Sequence, residues 1–390
     1  MSFLKFSPYL IIFLSFSYLL RFPLNNLGSI NFLDVLIIVF LLFFLKEIYT
    51  NNSFKNSFLQ YLKTKIVPLF FLCLFFIGIL FSFIKNCENE YLDSLGIIKS
   101  YFLLPILFAI VLNFLIKSNL SKLSICLFSY FAYSGFLGLL GFIYNLFGQL
   151  TFDKRLELFF DSPNQLAITL SPGIVIGSYF LVRKKISLSW LIIFLFFIVQ
   201  VFALWKTASL GAWIGILATI FFIFSGHFDI FNPKNILLSF LIVSLLATFL
   251  MINNSLFITR DPFKNINSID SRLVIYQVSQ KIIKENYLFG VGLGNFQSRY
   301  LSEQKNFPPF PQWAVPHSHN IFLQIWLETG LISFISFLSL LVYQFFLKKQ
   351  KKTPILLWAV LIYFLIHGIV DTTIWKNDSA LLFWFVLLSI

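Results

Sequence analysis

Apolar runs recur along almost the whole of this chain, and they leave it few folds to adopt. A helix rises about 1.5 Å per residue, so about 20 apolar residues cross a hydrocarbon core roughly 30 Å thick. Runs of that order lie near residues 7–21, 30–45, 67–84, 98–116, 124–147, 164–182, 187–204, 208–224, 236–252, 320–346, 354–370 and 379–390. The expected fold is all-α: a polytopic membrane bundle of about twelve transmembrane helices, with the first and last runs the shortest. Charged residues make up only 12% of the chain and hydrophobic ones 58%, a balance that excludes an ordinary soluble domain. No small-residue cleavage site follows the first run, so that run is expected to stay as a span.

The net charge of +13 would suggest nucleic acid in a soluble protein. In a membrane protein it is tested first as topology, because Lys and Arg collect in cytoplasmic loops. With the N-terminus inside, the inside segments carry 15 basic residues against Glu47 and Asp229. The charge is therefore an orientation signal that also suits anionic headgroups, and no nucleic-acid partner is expected. Cys73, Cys87 and Cys126 have no metal-site spacing and read as small apolar side chains.

Residues 1–390 then form one integral membrane domain, with residues 253–318 as a long extracytoplasmic loop between the ninth and tenth spans. Long loops are commonly functional or disordered. Here Leu273, Tyr276, Gln280 and Ile283 follow helical spacing, widened by Val274, Val278 and Ile282, so Ser271–Glu285 reads as an amphipathic helix. It either lies on the membrane surface or caps the bundle.

The polar residues of interest gather at this side. Gly290-Val291-Gly292-Leu293-Gly294 follows a helix and lacks dinucleotide-loop spacing; it reads as a tight turn, or as backbone that approaches a headgroup or sugar. His317 and His319 form an HxH pair without nearby cysteine, so no metal and no other cofactor is expected. His319 lies in or just before the first turn of the tenth span. The positive end of the helix dipole disfavours imidazolium there, and a neutral imidazole accepts a proton from a hydroxyl. Arg155, Lys206, Arg272 and Arg299 share that side. Each reads as a headgroup anchor or as part of a diphosphate site, since guanidinium grips phosphate in a bidentate fork. Asn164 starts a span after Ser162-Pro163, either as a cap or as a binding group. His367 and Asp371, four apart, are expected to share a helix face as a structural pair or a site.

These residues resemble the O-antigen ligase / O-antigen polymerase superfamily of bacterial envelope glycosyltransferases. The resemblance is carried by Arg272 at the start of the loop helix, by the run Glu285 to Phe296, by His317-x-His319-Asn320-x-x-Leu323-Gln324, and by Glu328-Thr329-Gly330. Ser162-Pro163-Asn164-x-Leu166-Ala167 fits a further element. In Thr207-Ala208-Ser209-Leu210-Gly211, Leu210 stands where the family commonly has Arg, and Lys206 is the nearby cation that stands to replace it.

The resemblance implies a GT-C-like bundle that transfers a glycan from an undecaprenyl-diphosphate carrier to a glycan or lipid acceptor on the outer face of the cytoplasmic membrane. His319 is then the base and Arg272 the group that stabilises the departing diphosphate. His317, Asn320, Lys206, Arg155, Asn164, Arg299, Glu328 and Asp371 complete the substrate-binding set. A polymerase with the same donor, or a protein O-glycosyltransferase, differs only in acceptor. A small-solute transporter is the competing class; it calls for repeats and midplane polar residues, whereas the polar groups here sit at one lip. Oligomeric state leaves no mark in the sequence.

Overall fold

The structure, a computed structural model, describes residues 1–23, 29–86, 91–183, 186–225, 268–308, 314–347 and 353–390. The expected span at 236–252, together with Cys87 and His227, lies outside the described residues. The chain is mostly helical. The helices α1 (Ser2–Phe13), α2 (Phe32–Thr50), α3 (Asn52–Thr64), α4 (Ile66–Asn86) and α5 (Tyr91–Ile97) open it. A π-helical stretch, Ile98–Leu103, leads from α5 into α6 (Leu104–Lys117). Then come α7 (Leu123–Leu146), α8 (Pro163–Arg183), α9 (Leu188–Thr207) and α10 (Leu210–Ser225). The last five are α11 (Ser268–Glu285), α12 (Phe296–Glu303), α13 (Ile321–Val342), α14 (Ile355–His367) and α15 (Asn377–Ser389). One small antiparallel hairpin pairs Arg21–Pro23 with Ser29–Asn31.

Among the described residues six helices are long and apolar enough to cross a membrane, and four shorter ones are apolar. The expectation of about twelve spans is met to that extent. Helix α2 adds an apolar run that also carries Asp34, Lys46 and Glu47.

Local chemistry explains the boundaries. Asn31 caps α2 by accepting the amide of Asp34 at 2.8 Å. Asn320 caps α13 by accepting the amides of Phe322 and Leu323. Such caps satisfy amides that the first helical turn leaves free. Helix α9 ends where Ala208 turns left-handed, φ 50°.

The connections gather at two ends. At one, Asn86 reaches Gly290, Arg155 reaches Thr207, and His319 reaches Asp371. At the other, the amino terminus meets Glu47, Lys117 meets Thr64, and Lys65 meets the carbonyl of Leu388.

Helix α15, one of the shortest expected spans, is the axis of the bundle. Every residue from Asn377 to Leu388 is buried. Trp384 packs against Phe75, Phe102 and Phe337 from three surrounding segments, and against its own neighbour Phe383. Burying large rings contributes more than area alone when they meet edge to face, about 0.5–1.5 kcal/mol per pair.

The amphipathic helix is present, but its stripe is rotated from the expected one. Ile275, Val278, Ile282 and Ile283 are buried in a second small core with Val291, Phe296, Tyr300, Val315 and Leu327. Leu273 and Gln280 point outward. Helix α11 thus caps the bundle by packing on α12 and α13.

Candidate active site

The Gly-rich run is a turn that clasps α13. Gly290, Gly292 and Gly294 have φ of 68°, 89° and 84°, the left-handed region that glycine enters at no steric cost. Helix α13 is kinked at Gly330, φ 77°. The kink frees a helical donor and an acceptor, and the turn takes both. The amide of Val291 donates to the carbonyl of Leu327 at 2.7 Å, and the amide of Leu331 donates to the carbonyl of Leu288 at 3.0 Å. A Cβ on Gly290 would collide with the Leu327 oxygen, and one on Gly330 with the Leu288 oxygen. Glu328, expected among the substrate contacts, serves this clasp: its carboxylate accepts the Gly294 amide at 3.2 Å and the Trp375 indole at 3.1 Å.

The clasp fixes the approach to α13, and His319 stands just before its cap, as expected. Its backbone is left-handed, φ 49°, a conformation that costs of order 1–3 kcal/mol and tends to cluster at functional sites. Its neighbours hold it there. The Tyr276 hydroxyl of α11 lies 3.0 Å from the His319 carbonyl, and the Asn320 amide donates to Ile369 at 2.8 Å. Asn320 is therefore a cap and a strut. Tyr276 had read only as part of an apolar stripe.

The imidazole Nδ1 of His319 lies 3.3 Å from Asp371 Oδ1. Asp371 does not share a helix face with His367, as its spacing had suggested. Helix α14 ends at His367, whose Nδ1 meets the Tyr363 hydroxyl at 2.7 Å. Asp371 sits in the turn beyond, where its carboxylate also accepts the amide of Thr372. Burial acts to raise the pKa of Asp371, but the His319 hydrogen bond and the charges of His319, His367 and Arg272 outweigh it, so the carboxyl is held below its ordinary range. For His317, burial and the neighbouring His319 lower the pKa to about 4. The two histidine rings are 5.8 Å apart and edge to face.

Arg272, near the start of α11, acts on Asp371 and on Arg155. Its Nε is buried without a hydrogen-bond partner, and so is Asp371 Oδ2. A buried donor and a buried acceptor left open on two residues that feel each other's charge mark a place where a polar ligand fits. Arg155 donates from Nε to the Thr207 carbonyl at 2.7 Å and from Nη2 to Asn164 at 2.9 Å. Two residues expected to bind substrate thus bind each other, and they tie the α9–α10 turn to the start of α8.

Lys206 does not take the place suggested for it. Its ammonium lies over the rings of Trp205 and Phe202, 5.3 and 6.0 Å from their centroids. The cation that acts on Arg272 and Asp371 beside the Leu210 turn is Arg155. Arg299 is exposed on α12 and acts on Glu303. Among the described residues no three His, Cys, Asp or Glu side chains cluster in a way that would hold a metal ion.

A second polar cluster was missed in the sequence. Asp378, fully buried, accepts from Tyr133 at 2.8 Å and Thr169 at 2.9 Å, and Lys376 lies 3.3 Å away. The Lys376 ammonium also sits 3.6 Å from the centroid of the Phe160 ring. In sequence this pair looks like loop charge before a short span; its partners come from α7 and α8.

No curated protein matches the chain. Residues 193–338 match the family model described as O-antigen ligase, a segment that holds Arg272, the glycine clasp and both histidines. The resemblance is borne out over this segment, which is similar to the O-antigen ligase family.

Proposed function

We propose that this membrane enzyme transfers a glycan from an undecaprenyl-diphosphate carrier to an acceptor hydroxyl at the outer face of the cytoplasmic membrane. The observation that carries the reading is the His319–Asp371 pair at 3.3 Å with the Arg272 guanidinium beside it. Asp371 Oδ1 faces Nδ1 and orients the ring, which leaves Nε2 for the acceptor proton. The acceptor oxygen then attacks the anomeric carbon while the bond to the carrier diphosphate breaks. Arg272 bears the charge that grows on that leaving group, and stabilisation of this kind is worth on the order of 3 kcal/mol per donor. Guanidinium does here what a metal cation would do, so the proposed reaction needs no metal. Ligase and polymerase share this chemistry and differ in the acceptor.

The test is transfer by the purified protein. Asp371→Asn keeps the shape but weakens the hold on the ring, and the rate is expected to fall on the order of tenfold or more. Arg272→Lys keeps charge but loses the fork, and Arg272→Ala loses both, so activity falls in that order. Chelator leaves the wild-type rate unchanged. Full activity in Asp371→Asn and Arg272→Ala, or loss with chelator, contradicts the proposal.

A further inference from the structure

A cavity of about 520 Å³ opens at the same end of the bundle, between the Arg21–Pro23/Ser29–Asn31 hairpin, helix α5 with its π-helical continuation, and the start of α15. That is within the roughly 300–1,000 Å³ of small-ligand sites. Every described residue lining it lies outside the segment that matches the family model.

We propose that this cavity is a saccharide-binding site that takes pyranose units of a glycan. Its floor holds Asn377, only 6% exposed, whose side-chain Nδ2 has no hydrogen-bond partner. A buried amide donor left open costs stability unless something accepts from it. Arg21 and Asp93 are exposed at the walls and form no ion pair among the described residues, which leaves a cationic donor and an anionic acceptor there. Lys99 is already engaged, 3.0 Å from Asp34. The cavity therefore has nearly balanced charge.

Leu92, Ile97 and Tyr101 line it beside these groups and supply apolar surface. A pyranose presents hydroxyls at its rim and C–H bonds on its face, which matches amide, carboxylate and guanidinium set around apolar walls. A diphosphate would meet the carboxylate of Asp93 instead, so the site differs in kind from the one at Arg272.

The walls are preorganised. Ser100 donates to Asp34 at 2.7 Å and locks the π-helical stretch onto α2. Ser94 donates to the Leu293 carbonyl at 2.5 Å, which ties α5 to the glycine clasp. Asn377, the first residue of α15, follows Asp371 by six residues along the connection from α14. The cavity and the His319 pair thus share a scaffold, yet binding here does not require His319 to catalyse anything.

The test is saturation-transfer NMR on the purified full-length chain in a detergent without a sugar headgroup. The probes are D-glucose, D-galactose, N-acetyl-D-glucosamine and L-rhamnose, with inorganic pyrophosphate as competitor. At least one sugar receives saturation from the wild type and equally from His319→Ala, and pyrophosphate does not displace it. Gly96 lines the cavity, and a Cβ there meets nothing within 4 Å, so Gly96→Trp fills the space without a clash at its root. Gly96→Trp and Asn377→Leu each weaken binding by about tenfold or more. Thermal unfolding checks that both are folded, and Asn377→Leu decides if Gly96→Trp is not. No transfer to any of the four sugars, undiminished transfer in a folded variant, or displacement by pyrophosphate overturns the proposal.

Discussion

His317 and His319 are two residues apart and carry different duties. His319 is held by its backbone and by Asp371. His317 is held neutral by its surroundings, with its pKa lowered from 6.5 to about 4. That difference has a sign that is measurable. Well above pH 6.5 neither the folded nor the unfolded state protonates His317, so its contribution is fully favourable there. As pH falls from 6.5 toward 4, the unfolded chain takes up the proton first and stability is lost. Thermal unfolding of the wild type should therefore drop across that window, and His317→Gln should drop less. Equal acid sensitivity in the two would place the titrating group elsewhere. The position of His319 before a helix was legible in the sequence. Its partner was not, because Asp371 lies 52 residues away and the i,i+4 rule pointed to His367 instead.

At the scale of elements, the glycine clasp is the device that sets the angle of α13. Its turn was readable from glycine spacing. The kink was not, since Glu328-Thr329-Gly330 sits inside an apolar run that reads as an unbroken helix. Its cause is an exchange of hydrogen bonds with the Leu288–Val291 segment, far earlier in the chain, a contact that periodicity does not carry. Gly290→Ala and Gly330→Ala should each destabilise the protein by about 2 kcal/mol or more, because strain at positive φ adds to a collision with a carbonyl oxygen. Gly96→Ala, helical with open space before it, should cost nothing and serves as the control. Unfolding of the purified protein measures all three, and wild-type stability in Gly330→Ala would remove the clasp from this account. The rotated stripe of α11 has a similar cause: Leu273 and Ile275 both satisfy an apolar pattern, and only the second core decides which is buried.

For the whole molecule, hydropathy found the helices but not their places. Helix α15 looked marginal because it is short, and it is central because every face of it is covered. The orientation rests on charge: basic residues gather in the segments assigned inside. Cysteine introduced at Ser268 should react with a membrane-impermeant reagent in intact cells, while cysteine at Gln350 should not. The reverse pattern would turn the bundle over and move His319 to the cytoplasmic side.

The central claim is that this end of the bundle moves a glycan with His319 as base, and transfer itself tests it most directly. Purified wild-type protein is given an undecaprenyl-diphosphate-linked glycan and an acceptor sugar, and release of the carrier diphosphate is followed in time beside His319→Ala. General-base catalysis contributes about 10²–10⁴-fold, so the variant should be slower by that factor while it folds and expresses as the wild type does. Equal rates from the two proteins would contradict the account.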